Sequence, residues 1–410
     1  MEKQLQPKLR FPEFDGEWNI KKLKEVFERV ASKNKNNLNQ NVLTISGKKG
    51  LINQFEYYNN QYASKDLSNY YLISKNDFAY NKSYSNGYPY GAIKSLSKYD
   101  NGVLSPLYIC FRGRDINTQF YTQFFESTYF NHELYKICVE GARNHGLLNV
   151  AIEDFFSSHI PITSLPEQQK IADYLSTIDS KITLLEEKKT ELSRYKKAMM
   201  QKLFSQEIRF KDENGNDFSD WEKVQLKDIL IEHKEKNKGD KYDEVLSVAK
   251  MKGVINQIEH LGRSYSAEKI DHYKVINPFD IVYTKSPTSG FPFGIIKQNK
   301  LNRSGVLSPL YAVFKPKTKY LGMILHDIFL SEVETYNYLV PLVQKGAKNT
   351  MNINNDEFLK GKKYSLPTSE LEQQKITDFL SAIDESIDKV SEQIKETQSF
   401  KKAMLQQMFV

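Results

Sequence analysis

The chain has 410 residues, 40% apolar and 12% aromatic, with 58 Lys and Arg against 51 Asp and Glu for a formal charge of +7. That length calls for two or more units, each with its own core, and the apolar content excludes a disordered chain. No apolar run nears the roughly 18 residues a membrane helix needs, and no basic then apolar leader opens the sequence, so a cytoplasmic protein is expected.

The two cysteines, Cys110 and Cys138, are too few for a disulfide framework and lack zinc-site spacing, so both are expected in the core. Residues 1 to 165 are rich in Tyr, Phe, Asn and Gly, with short apolar runs such as Tyr108-Ile-Cys-Phe111 and turn signals at Ser85-Asn-Gly87 and Asn101-Gly102. These features predict a mixed α and β domain. At Leu165-Pro166 the grammar changes, because a proline suits the first turn of a helix. Over 166 to 205, Ile171, Leu175, Ile178, Ile182, Leu185 and Leu192 define a heptad seam. A second mixed domain spans 206 to 366, and Leu366-Pro367 opens a second helix over 367 to 410 with its seam at Ile376, Leu380, Ile383, Ile387, Val390 and Ile394. Each helix is the natural antiparallel partner of the other, as a coiled-coil rod of about 55 to 60 Å at a rise of about 1.5 Å per residue. The alternative is that each packs on its own domain as an ordinary amphipathic helix.

The second half repeats the first. Gly102-Val-Leu-Ser-Pro-Leu-Tyr108 returns at Gly305 to Tyr311, an offset of 203 that also joins Trp18 to Trp221 and Gly87-Tyr-Pro-Tyr-Gly91 to Gly290-Phe-Pro-Phe-Gly294. At an offset of 205, Gln168-Gln-Lys-Ile171 matches Gln373-Gln-Lys-Ile376, and Lys196-Lys-Ala-Met199 matches Lys401-Lys-Ala-Met404. A period near 200 residues is a duplicated domain rather than a solenoid. The expected fold is therefore α+β: two similar domains joined and separated by two long helices in an antiparallel coiled coil, pseudo-twofold overall. The heptapeptide reads as a framework strand, with its proline at an edge or bulge.

A duplicated, basic, pseudo-twofold chain suits duplex DNA, which has a twofold axis of its own. Phosphate anchors are expected at equivalent places: Lys82 and Lys285, Lys94 and Lys297, Arg143 and Lys348, each near glycines that allow close backbone approach. Lys48, Lys49, Lys250 and Lys252 add charge beside Gly50 and Gly253. Base reading would fall to side chains that differ between the copies: Asn81 against Thr284, and Tyr84 and Asn86 against Pro287 and Ser289. No phosphate loop, dinucleotide fingerprint or metal motif occurs, and Asn277-Pro-Phe279 lacks the second proline of an adenine-methyltransferase motif, so no catalytic site or metal site is expected in this chain.

The doubled Glu-Gln-Gln-Lys-Ile opening of each helix, the Leu-Ser-x-Ile-Asp that follows, and the Lys-Lys-Ala-Met-x-Gln-x-x-Phe close resemble the specificity subunit of type I restriction-modification systems across the whole chain. That resemblance implies target-recognition domains at 1 to 165 and 206 to 366, each reading one half of a gapped double-stranded DNA sequence. The helices would dock two methyltransferase subunits, joined by restriction and translocase subunits. S-adenosylmethionine, ATP and Mg would then belong to those partners, with no cofactor held by this chain. Two rival readings are a stand-alone DNA-modifying or DNA-cleaving enzyme and a coiled-coil scaffold.

Overall fold

A computed structural model describes residues 5–60, 62–140, 148–250, 252–263, 269–345 and 351–410. The chain forms two compact units: residues 1–188 with 390–410, and residues 189–389. Arg143 and Lys348 lie outside the described residues.

In the first unit a four-stranded antiparallel sheet runs in the order Phe27–Arg29, Ile109–Gly113, Phe78–Asn81, Ala92–Ser95. The expected run at Tyr108 to Phe111 supplies the second of these strands. Further antiparallel pairs accompany the sheet: Leu43–Ser46 with Gly50–Asn53, Tyr71–Ser74 with Asn101–Leu104, Asn19–Lys22 with His159–Ile162, and Val139–Glu140 with Leu148–Asn149. Its aromatic core holds Trp18, Phe27, Phe78, Phe111 and Phe155, all at most 1% exposed. The second unit repeats this topology with strands Leu230–Glu232, Ala312–Pro316, Ile281–Tyr283 and Ile296–Gln298.

The duplicated heptapeptide is half strand and half turn. Its glycine is a packing device: a Cβ on Gly102 would sit 2.5 Å from Leu43 Cδ1, and one on Gly305 would sit 2.8 Å from Leu246 Cδ1. Asn101-Gly102 is therefore strand rather than turn. Val103 and Leu104 are both buried, so this strand has no solvent face. From Ser105 the chain turns, with Tyr108 N–H donating to Ser105 O at 3.1 Å, and Tyr311 donates to Ser308 O at 3.1 Å in the repeat. The proline thus starts a turn, a position it favours because its φ is already set.

The long helices span Leu165–Phe204 and Glu370–Met408. Their doubled motifs are explained by the bonds they make. Glu167, 1% exposed, accepts from Arg10 Nε at 2.6 Å and Nη2 at 2.8 Å, and Glu372 accepts from Arg209 Nε at 3.1 Å and Nη2 at 3.0 Å. Gln168 Nε2 donates to Thr163 O at 2.8 Å and Gln373 Nε2 to Pro367 O at 2.9 Å, fastening each helix start to the chain leading into it. In the first unit Tyr174 reaches Met404 and Lys401 Nζ donates to Asp179 Oδ1 at 2.6 Å, so the two helices run antiparallel there. In the second unit Lys196 Nζ donates to Asp384 at 2.7 and 2.8 Å and to Asp327 at 3.1 Å. The lysine of each Lys-Lys-Ala-Met therefore grips the aspartate of the other helix's Leu-Ser-x-Ile-Asp.

The seam positions divide their work. Ile171, Leu175 and Ile178 lie in the first unit's core with Met404, Met408 and Phe409, and Ile182 packs at its edge. Ile376 and Leu380 lie in the second unit's core with Leu203 and Trp221. Ile383, Val390 and Ile394 are buried, while Leu185, Leu192 and Ile387 are half-buried. The first turns of each seam therefore serve domain packing as well as helix pairing.

Candidate nucleic-acid interface

The strand registers bring several loops to one end of each sheet. In the first unit these are the turn at 47 to 49, the 82 to 91 loop, the Ser105 to Tyr108 turn and the segment entering at Lys33. Tyr88 ties two of them together, its hydroxyl 3.1 Å from Gly47 O and 2.7 Å from Glu126 Oε2. Burial, reinforced by Glu126, pushes its phenol well above the ordinary value.

The expected anchors fall into three groups. Lys48, Lys49, Tyr84 and Asn86 are exposed on these loops, and Tyr84 is 64% exposed. Lys48 Nζ lies 3.7 Å from Glu186, a weak contact between exposed groups. Lys82 is half-buried, and its carbonyl accepts the Leu148 N–H at 2.7 Å, which joins the loop to the hairpin of Val139–Glu140 and Leu148–Asn149.

Lys94 and Lys297 depart from the expectation. Lys94 is 7% exposed, ion-paired to Glu126 and 2.7 Å from the Tyr88 hydroxyl, so it positions the loops rather than presenting charge to a ligand. Lys297 is 2% exposed beneath Phe291. Burial, with Lys300 nearby, outweighs the attraction of Asp327 and lowers its ammonium to about 8. Asp327, the carboxylate that favours the charged Lys297, is bonded to Lys196 instead, which leaves Lys297 under-compensated.

In the second unit Lys250 donates to Glu332 at 2.7 Å and sits over the Phe291 ring, Lys252 and Ser289 are exposed, and Lys285 is half-buried. Lys285 also has a left-handed φ of 55°, a conformation an L-residue holds only when its surroundings enforce it. Of the contrasting pairs, Thr284 is buried with its hydroxyl accepting the Ile295 N–H at 3.1 Å, whereas Asn81 is half-exposed and Pro287 is exposed. Thr284 is thus occupied internally.

Sequence reasoning missed the lysine loops at this same end. Lys33-Asn34-Lys35 and Lys236-Asn237-Lys238 recur at the same offset of 203, a signal that was open to inspection. Both asparagines are buried and close their loops identically: Asn34 Nδ2 donates to Asn39 O at 2.9 Å, and Asn237 Nδ2 to Tyr242 O at 2.8 Å. Lys234, Lys236, Lys238 and Lys241 line a cleft of about 570 Å³ with Glu235, Asn237, Tyr242 and Val275. The short helix Gln54–Tyr58 and the segment after it also present Tyr57, Tyr58 and Tyr62, 40%, 47% and 69% exposed, with ring centroids 4.6 and 5.4 Å apart. Among the described residues no cluster of His, Cys, Asp or Glu is suited to a metal, and no helix is long and apolar enough to cross a membrane.

Residues 15–194 match the family model of the type I restriction modification DNA specificity domain. That match spans less than half of the chain, and the doubled helix motifs carry the likeness into its second half. Two solved structures share the fold over nearly the whole chain. One is a type I restriction-modification system S subunit from M. genitalium, 14% identical, covering 99% of each chain with a TM-score of 0.56. The other comes from a structural study of complex assembly and conformational transition in the type I system, 16% identical, covering 96% of this chain and 97% of that one with a TM-score of 0.52.

Proposed function

We propose that this chain is the sequence-specific double-stranded DNA-recognition subunit of a type I restriction-modification complex. Each mixed domain reads one half of a gapped target, and the helices dock two methyltransferase subunits, to which restriction and translocase subunits are added. The chain itself performs no chemistry; S-adenosylmethionine, ATP and Mg act on the partners. The observation that carries this reading is the doubled construction: each unit joins one recognition domain to segments of both helices through the same Arg–Glu and Lys–Asp bonds. Equivalent loops at the same sheet end of both units, bearing exposed lysines and dissimilar polar side chains, suit a common backbone grip with different base contacts.

The test is coexpression with a methyltransferase partner, followed by mapping of modified adenines. Replacing residues 1 to 165 with another recognition domain is expected to change one half of the methylated sequence and leave the other intact. A change in both halves, or in neither, overturns the modular reading. Methylation or cleavage by the purified chain alone would establish the stand-alone enzyme instead.

A further inference from the structure

The second unit's lysine loop reads His233-Lys-Glu-Lys-Asn-Lys-Gly-Asp-Lys241. Asn237, with no exposed surface, fixes its shape, its Oδ1 accepting the Tyr242 N–H at 2.9 Å while its amide donates back to Tyr242 O. Backbone pairing sets Lys236 against Lys274, whose ammonium donates to Tyr311 O at 2.6 Å. Burial and then Lys236 hold Lys274 below the usual lysine range, with Glu232 opposing; burial and then Lys274 do the same to Lys285. Glu232 is engaged with Lys234 at 3.3 Å and Asn355 at 2.6 Å, and Glu235 with His233 at 3.3 Å. Among the described residues Lys236, Lys238 and Lys241 form no ion pair. Four lysines line the cleft against one acid, Glu235, with Asp240 the other acid of the loop, so the lining keeps a surplus of cations that an anion would relieve.

The first unit does not repeat it. At the offset of 203, Lys234 and Lys241 correspond to Ala31 and Leu38, and Lys274 corresponds to Tyr71, so only Lys33 and Lys35 remain. Lys33 is already engaged, its ammonium 3.7 Å from the Tyr71 ring centroid and 2.8 Å from Asn69 O. An aromatic ring satisfies there the cation that faces another lysine in the second unit.

We propose that the cleft of Lys234, Lys236, Lys238 and Lys241 is a cradle for backbone phosphates of duplex DNA, developed in the second unit and rudimentary in the first, so that the two recognition domains grip their half-sites unequally. This rests on the DNA-recognition reading above and adds which phosphate site dominates. Duplex DNA is favoured over an acidic protein because the cleft lies at the sheet end that carries the loops differing between the copies.

The test measures duplex affinity of the complete complex with its methyltransferase partner across 50 to 200 mM salt, by fluorescence anisotropy. Lys234, Lys236, Lys238 and Lys241 are changed together to Gln in one variant and to Arg in a second; Lys33 and Lys35 are changed to Gln in a third. Each lost phosphate contact lowers the slope of log affinity against log salt by about 0.9, so the first variant is expected to lose about 2 to 4 in slope and the third at most about 2. The Arg variant is expected to keep the wild-type slope, which shows the fold intact, and the mapped methylation sequence is expected to stay unchanged, since phosphate contacts carry no sequence information. A wild-type slope in the first variant, an equal loss in the third, or a changed methylation sequence overturns the proposal while DNA recognition stands. Failure of the wild-type complex to bind duplex overturns the DNA reading itself.

Discussion

Replacing Lys196 with Met removes the centre of a buried charge cluster while keeping most of the side chain's volume. The Lys196 side chain is 9% exposed and bonds both Asp327 and Asp384; Asp327 is 8% exposed by side chain, with burial already raising its carboxyl above the usual range against the pull of Lys196. Removing the cation strands that carboxylate, and breaking a buried pair from one side costs about 3 to 5 kcal/mol. For a unit near 200 residues, at about 2 to 4 °C per kcal/mol, the second unit's melting point should drop by on the order of 10 °C. The equivalent Lys401→Met loses only a bond to Asp179, which is 43% exposed, so about 1 kcal/mol or less is expected. A carboxyl with a raised folded pKa is least costly when protonated. The Lys196→Met deficit should therefore be smallest below about pH 3.9, the unfolded carboxyl value, and grow as pH rises through the folded value. Adding Asp327→Leu should recover much of the loss, because apolar replacement of a buried pair is often neutral. Urea denaturation followed through Trp221 in a Trp18→Tyr background isolates the second unit for Lys196→Met, and through Trp18 in a Trp221→Phe background it isolates the first unit for Lys401→Met. Equal losses for Lys196→Met and Lys401→Met would refute the reasoning.

Trp18 Nε1 donates to Glu167 at 3.2 Å, whereas Trp221 Nε1 finds no acceptor among the described residues, so Trp18→Phe should cost about 1.5 to 3 kcal/mol more than Trp221→Phe in urea titrations. Lys297 has its folded pKa lowered to about 8, so between pH 8 and about 10.4 the unfolded chain binds the extra proton and stability rises with pH. Lys297→Met should remove that rise and leave the protein more stable at neutral pH, as read from melting curves across the range. A Cβ on Gly91 would lie 2.2 Å from Asn81 O, whereas the nearest atoms to one on Gly294 are 3.0 Å away; both glycines have left-handed φ. Gly91→Ala should therefore destabilise its unit by several kcal/mol and Gly294→Ala by about 1 to 2 kcal/mol, measured by denaturation.

The duplication and the helices were legible because the repeated residues do identical jobs in both copies. Gly102 and Gly305 each admit a leucine, and Glu167 and Glu372 each receive an arginine. The burial of Lys94 and Lys297 was not legible, since it depends on where a carboxylate from a distant helix is spent: Glu126 on Lys94 in one unit, Asp327 on Lys196 in the other. A lysine in a run such as Ala92-Ile-Lys-Ser95 carries a warning of this, because that strand is buried on both faces. The lysine loops were less legible because the element that fixes them is a buried asparagine, Asn34 or Asn237, rather than a glycine.

Residues 390–410 of one helix belong to the first unit and residues 189–204 of the other to the second, and this makes the stability of each unit depend on residues far away in sequence. Phe409 is 1% exposed in the first unit, its ring 5.2 Å from Phe120, 5.7 Å from Phe124 and 6.3 Å from Trp18. Truncating such a ring costs about 3 to 5 kcal/mol through lost burial and the cavity left behind. Phe409→Ala should therefore unfold the first unit at lower urea while sparing the second, although residue 409 lies in the second copy of the duplication. In a Trp221→Phe background Trp18 reports the first unit alone, and in a Trp18→Tyr background Trp221 reports the second. A loss confined to the Trp221 transition would mean that the units follow the sequence repeat; a loss confined to Trp18 means that the first unit is completed by the helix of the second copy.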